Sequence, residues 1–166
     1  MSYRSKTYVI FDGDNDIWAY AYMKGWKQNE HIDFDFYDAH DLKPLTFSAS
    51  DETVYARLRE RMINTKQAVG LIGEKTKNLF KFVRWELELT LKKDIPLIAV
   101  NLNNKRQCAD ERCPAIIHDE YVVHVPFKAK ILQYALDRFP TEHAARDGTQ
   151  KGPRYYNDEI YRQLGL

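Results

Sequence analysis

An α/β domain with helices on both faces of a parallel sheet is the fold class this sequence predicts, in a three-layer, flavodoxin-like arrangement of five strands ordered 2-1-3-4-5. Three observations predict it. Short apolar runs alternate along the chain with longer segments of helical period. Two of the runs, Ala68–Ile72 and Ile95–Val100, are almost continuously apolar, as strands covered on both faces are. A third, Asp33–Phe36, alternates polar and apolar residues with period two, as a strand with one buried face does at a sheet edge.

Taken in order, Tyr8–Phe11 reads as the first strand, and Ile17–Lys27 as its crossover helix, with Trp18, Tyr22 and Trp26 at helical spacing and Asp16 as N-cap. Asp33–Tyr37 is the edge strand. Ser48 and Asp51 have capping-box spacing ahead of a helix in which Val54, Leu58 and Met62 recur every fourth residue. The third strand, Ala68–Ile72, leads into a long helix over Leu79–Leu91, followed by the fourth strand, Ile95–Val100. Tyr121–Val125 supplies the fifth strand and Phe127–Phe139 the closing helix. Residues 1–139 therefore form the domain, and residues 140–166, with Gly148–Pro153 as a joint, a C-terminal extension carrying a short helix packed on it.

Composition narrows the function. A length of 166 residues with 44% hydrophobic content suits one domain with one core. A formal charge of +1 gives no basic field for sequence-independent binding of nucleic acid. No run approaches the ~20 apolar residues needed to cross a bilayer, and Met1–Lys6 has no apolar signal region, so a cytoplasmic protein without a membrane partner is expected. Cys108 and Cys113 read as reduced loop thiols, and although His118 and His124 follow them, nothing in the spacing fixes a ligand geometry, so no metal is expected. Charge is split along the chain: residues 12–41 carry eight acidic and two basic side chains, residues 57–84 eight basic and two acidic. Two balancing solvated faces account for this, as does a surface suited to self-association or to steering an anionic nucleotide.

A sheet of this order places its ligand crevice at the carboxyl ends of the first and third strands. The segments there are Asp12–Asp16 after strand one, Asp38–Asp41 after strand two, Gly73–Thr76 after strand three and Asn101–Asn104 after strand four. Acids, asparagines and glycines in these turns serve turn geometry as readily as ligand binding.

The most informative segment is the helix over Leu79–Leu91. Residues set at ~100° intervals place Leu79, Val83, Leu87 and Thr90 along one stripe, with Phe82 and Leu89 at its margin. Glu86 falls inside that apolar stripe, whereas Glu88 falls opposite, beside Lys81, Arg84 and Lys92. A buried carboxylate is costly unless it is paired, protonated or facing a cleft, so Glu86 is either a structural group with a partner or a working one.

Phe82-Val83-Arg84-Trp85-Glu86 resembles the aromatic-x-x-x-Glu helix of TIR domains. Leu71–Thr76 and Val100–Asn103, together with Phe11–Asp14, Phe36–Ala39 and Cys113-Pro114, resemble segments of the TIR-like proteins of bacterial Thoeris anti-phage systems. The likeness runs from about Lys6 to Phe139. It implies a TIR-like fold and an enzyme for which NAD+ is the substrate and no further cofactor is needed. In such an enzyme Glu86 faces the nicotinamide-bearing ribose while the glycosidic bond breaks. It also implies self-association through TIR contacts, and release of an ADP-ribose-derived signalling nucleotide that reaches a downstream effector. Phe82 stands where many TIR enzymes have Trp, which keeps the aromatic packing and loses an indole donor. Around Glu86, Phe11 is expected to pack on a ring of the ligand, with Asp12, Asp14, Asp38 and His40 offering groups to ribose hydroxyls.

Other readings fit less well. A phosphoaspartate receiver needs an Asp after strand three, where Gly73-Glu74 stands; a haloacid-dehalogenase-like phosphatase needs a later acidic pair that Asn101–Asn104 lacks; and an EF-hand needs an acid where Met23 falls. The alternative that remains is a non-catalytic TIR-like interaction or nucleotide-binding module, since a fold does not by itself confer chemistry.

Overall fold

A computed structural model describes residues 6–38, 50–79, 81–108 and 111–166, apart from the side chains of Tyr37 and Asp38. Five strands, β1 (Lys6–Ile10), β2 (Tyr37–Asp38), β3 (Gln67–Ile72), β4 (Leu97–Asn101) and β5 (Val123–Pro126), form one sheet in the order β2-β1-β3-β4-β5. All neighbours pair in parallel. The helices are α1 (Ile17–Gln28), α2 (Asp51–Arg61), α3 (Phe82–Lys92), α4 (Ala115–His118), α5 (Ala129–Ala145) and α6 (Asp158–Gln163).

Because successive strand residues point to opposite faces, each strand feeds two cores. Val9, Val69, Leu71, Ile98, Val100, Val123 and Val125 pack with Ala19, Tyr20 and Met23 of α1, with α5, and with Tyr161 of α6. Tyr8, Ile10, Ala68, Ile72, Leu97 and Ala99 pack on the other face with Val54 and Leu58 of α2, Val83 and Leu87 of α3 and Ile117 of α4.

Several elements differ from the expectation. The edge strand is Tyr37–Asp38, not Asp33–Phe36. Phe34 and Phe36 are buried as the alternation requires, but the backbone around them bonds to side chains and to its own turn, the Phe34 amide donating to the Ile32 carbonyl, instead of a neighbouring strand. Lys27 Nζ donates to the Phe36 carbonyl at 2.6 Å, and the Asp35 amide donates to Gln133 Oε1 at 2.7 Å. Asp16 precedes α1 but its side chain makes no cap hydrogen bond. The cap of α2 is Ser50, whose Oγ accepts from the Thr53 amide at 3.3 Å; Ser48 lies outside the described residues. The long helix begins at Phe82, after a 3-10 turn over Thr76–Asn78, so Leu79 precedes it. The closing helix α5 runs through Pro140 to Ala145, because its period brings His143 as well as Phe139 into the interior.

The chain after α5 returns to the sheet. The Arg154 amide donates to the Val122 carbonyl at 2.8 Å and the His124 amide to the Arg154 carbonyl at 3.0 Å, so this segment bridges the outer edge of β5. Unpaired edges invite association with other chains, and this one is covered by the chain itself. Asn157 caps α6 by accepting from the Ile160 amide at 3.0 Å. Tyr161, 1% exposed, then enters the core below the Arg106 guanidinium, which lies 3.7 Å from its ring centroid.

The Tyr161 hydroxyl has no hydrogen-bond partner among the described residues. Tyr161→Phe is therefore expected to hold or raise stability in urea unfolding, whereas Tyr161→Ala should lower it by about 3–5 kcal/mol, the usual cost of emptying a buried aromatic site. An Ala variant within about 1 kcal/mol of the parent would show that residues 146–166 stand outside the cooperative core.

Candidate functional site

Helical spacing sets Glu86 inward, and the fold decides what it meets. Glu86 is 7% exposed and accepts a hydrogen bond from the Tyr8 hydroxyl, 2.7 Å away, which reaches across from β1. Arg61, in the last turn of α2, bears electrostatically on both groups. Burial pushes the Glu86 carboxyl up to about 7, against the opposing pull of the Tyr8 hydrogen bond and the Arg61 charge. Burial, followed by the neighbouring carboxylate, raises the Tyr8 phenol, which stays protonated and able to donate. Glu88, by contrast, sits on the outer face with its Oε1 3.0 Å from Arg84 Nε, an ordinary pair one turn apart.

Phe82 is half-buried at the start of α3, with its ring edge-on to Trp85 at a centroid distance of 6.1 Å. Beside this helix, Asp51, Glu52, Tyr55, Arg59 and Trp85 line an open recess of about 450 Å³ between α2 and α3. Glu86 turns away from it toward Tyr8.

The turn after β1 is built differently from what its acids suggested. Asp12 is buried, and its carboxylate accepts from the Asp14 amide at 3.0 Å and from Asn15 Nδ2 at 2.6 Å, which fixes the turn. Asp14 is exposed. Asp16 is buried, and its carboxyl is raised by burial and by the charge of Asp12, with Arg112 and a hydrogen bond to Thr76 pulling the other way. Thr76 also accepts from the Gly73 amide at 2.8 Å. A Cβ at Gly73 would lie 2.1 Å from Asp16 Oδ2, so only glycine lets that carboxyl approach.

These placements separate residues expected to share one pocket. Phe11 stacks on Tyr20 at a centroid distance of 4.9 Å, on the α1 face of the sheet, whereas Tyr8 and Glu86 lie on the α2–α3 face. Asp12 and Asp14 stay at the carboxyl end of β1. Asp38 belongs to β2, with its side chain outside the described part, and His40 lies outside the described residues altogether. Sequence reasoning passed over Tyr8 and Arg61 as partners of Glu86. The available signal was Tyr8 itself, a hydroxyl inside an apolar strand that must find an acceptor when buried.

A second cluster joins residues that spacing alone could not. One ligand atom each from Cys108, Cys113 and His124 lie within 4.8 Å of one another.

A parallel sheet between two helical layers, with a glutamate turned inward from the helix after β3, is the architecture of a TIR-like domain. A family model described as Thoeris protein ThsB, TIR-like domain, matches residues 8–107, well over half of the chain, and the chain belongs to that family. No curated protein matches it. Among the described residues no helix is long and apolar enough to cross a membrane.

The Glu86 environment has a consequence for stability. The folded state holds this proton up to about pH 7, whereas an ordinary glutamate releases it near 4.5, so Glu86 withdraws stability as pH rises between those values. Glu86→Gln should remove that loss. The variant should gain on the parent by on the order of 3 kcal/mol between pH 4 and pH 8 in denaturant titrations. Parallel stability profiles for the two proteins would mean that Glu86 is ionised at its ordinary pH.

Proposed function

We propose that this TIR-like domain is an NAD+-consuming enzyme of anti-phage defence, which cleaves the nicotinamide–ribose bond and makes an ADP-ribose-derived signalling nucleotide for a separate effector. The observation that carries this reading is Glu86: the carboxyl at the position of the TIR glutamate is buried, bonded to Tyr8, and poised between its protonated and ionised forms near neutrality.

In this chemistry the C–N bond breaks with its electron pair leaving on nicotinamide, which departs neutral and needs no general acid. Positive charge develops on the ribose ring, and the Glu86 carboxylate stabilises it from a low-dielectric surround. Tyr8 and Arg61 hold the carboxylate in place and keep part of it ionised. The oxocarbenium centre is then captured by water or by a nucleophile of ADP-ribose itself. Self-association belongs to the same proposal, since the acidic and basic segments of the chain complement one another; sedimentation that is unchanged between low and high salt would remove it.

A second reading, a non-catalytic TIR-like interaction module, is favoured by the low exposure of Glu86 and by the aromatic face of α1, where Trp18 and Tyr22 are 44% and 59% exposed.

Incubation with NAD+ and mass spectrometry of the products, with and without phage-infected cell extract, separates the two. Nicotinamide release should fall at least ~10²-fold in Glu86→Gln and change little in Glu88→Gln. Turnover in the parent should rise from pH 6 to pH 8 as Glu86 ionises, following its elevated value of about 7. Absence of nicotinamide release under both conditions favours the interaction module, and release by Glu86→Gln equal to that of the parent removes Glu86 from the chemistry.

A further inference from the structure

We propose that Cys108, Cys113 and His124 form a binding site for a thiophilic divalent metal ion such as zinc, in which two thiolates and one imidazole clip the loop after β4 to strand β5.

His124 sits inside β5, with its backbone amide committed to the Arg154 carbonyl. Its side chain faces the α3–α4 side of the sheet and is fully buried, at 0% exposure. Neither ring nitrogen has a hydrogen-bond partner among the described residues. Two unsatisfied nitrogens on one buried imidazole are costly, and such groups call for a use. A neutral imidazole has a lone pair available on one of those nitrogens. The neighbours within reach are sulfur: the Sγ atoms of Cys113, buried, and Cys108, half-buried, complete a triangle with sides no longer than 4.8 Å.

The loop that delivers Cys108 is anchored from the sheet. Buried Asn101, the last residue of β4, donates from Nδ2 to the carbonyls of Lys105 and Gln107, both at 2.9 Å. Cys113 is held just ahead of α4, whose first residue is Ala115. A tetrahedral zinc site with bonds of about 2.3 Å to sulfur and 2.0 Å to nitrogen has ligand atoms about 3.5–3.8 Å apart. The triangle therefore needs to contract by about 1 Å, within the rotamer freedom of the half-buried Cys108.

Charge and donor type agree with this choice. Binding releases one proton from each thiol, so a divalent ion with two thiolates and a neutral imidazole adds no net charge to a buried site. Sulfur and imidazole donors without a carboxylate select zinc-like ions over magnesium or calcium. The fourth position is left to water, with His118 close enough to act electrostatically on His124. A disulfide between Cys108 and Cys113 would leave both imidazole nitrogens unsatisfied, which the metal site does not. Nothing here depends on the NAD+ reading, because none of the three ligands has a role in it.

The test uses the full chain, chelator-stripped and kept reduced with a phosphine, titrated with Co2+. The expected result is a thiolate-to-cobalt charge-transfer band and tetrahedral visible bands that saturate at one equivalent and are displaced by Zn2+, together with a raised melting temperature on zinc addition. Cys108→Ser, at a half-buried loop position, should fold like the parent and weaken binding by about 100-fold or more. His124→Phe, which keeps the ring volume, should do the same. The absence of a thiolate band in the reduced parent, or variants that bind as tightly as the parent, would overturn the proposal.

Discussion

The hydrogen bond between Tyr8 and Glu86 is the interaction on which the site depends. It joins the first residue of the apolar run in β1 to the first turns of α3, 78 residues apart in the chain, at 2.7 Å. Each partner is unfavourable alone. A phenol buried in a strand needs an acceptor, and a carboxyl buried on a helix stripe needs a donor. Paired, they allow the helix to keep a titratable group within an otherwise apolar interface, and Arg61 limits how far burial can raise that group. The result is a carboxyl divided between its two protonation states near neutrality, a condition suited to acid–base or electrostatic work.

Much of this was legible in the sequence, and where it was not the physical reason is plain. The face of α3 follows from a 3.6-residue period, which separates Glu86 from Glu88 without any tertiary information. Apolar runs marked the central strands because strands covered on both faces cannot afford polar residues. The edge was harder: alternation in Asp33–Phe36 reported the burial of Phe34 and Phe36 correctly, but burial is compatible with any extended backbone, and side chains of Lys27 and Gln133 took the hydrogen bonds a strand would have made. The grouping of Phe11 with Glu86 overlooked strand parity, since Tyr8 and Phe11 are an odd number of residues apart and so face opposite sides of the sheet. Cys108, Cys113 and His124 were visible in the sequence as neighbours but not as a cluster, because a loop and a strand are brought together only by the order of β4 and β5.

The two faces of the sheet carry different duties. One face is closed by α1, α5 and the returning C-terminal segment, with aromatic packing around Phe139 and Tyr161. The other face holds Glu86 with Tyr8, and the sulfur–imidazole cluster beside α4. At the carboxyl end between β1 and β3, Asp12, Asp16, Gly73 and Thr76 form a tight turn assembly in which the acids hold backbone and one another's loops in place. In the reading proposed above, the acidic turn is a scaffold and the helix glutamate carries the chemistry.

The most direct measurement is the titration of the Glu86 carboxyl itself, followed by NMR of the chain labelled with carbon-13 at the glutamate side-chain carbonyl and assigned with Glu86→Gln. A midpoint near 7 is expected in the protein alone. A lower midpoint is expected when NAD+ is bound, because the cationic nicotinamide ring favours the charged carboxylate. A midpoint near the ordinary 4.5, unmoved by NAD+, would contradict this role for Glu86.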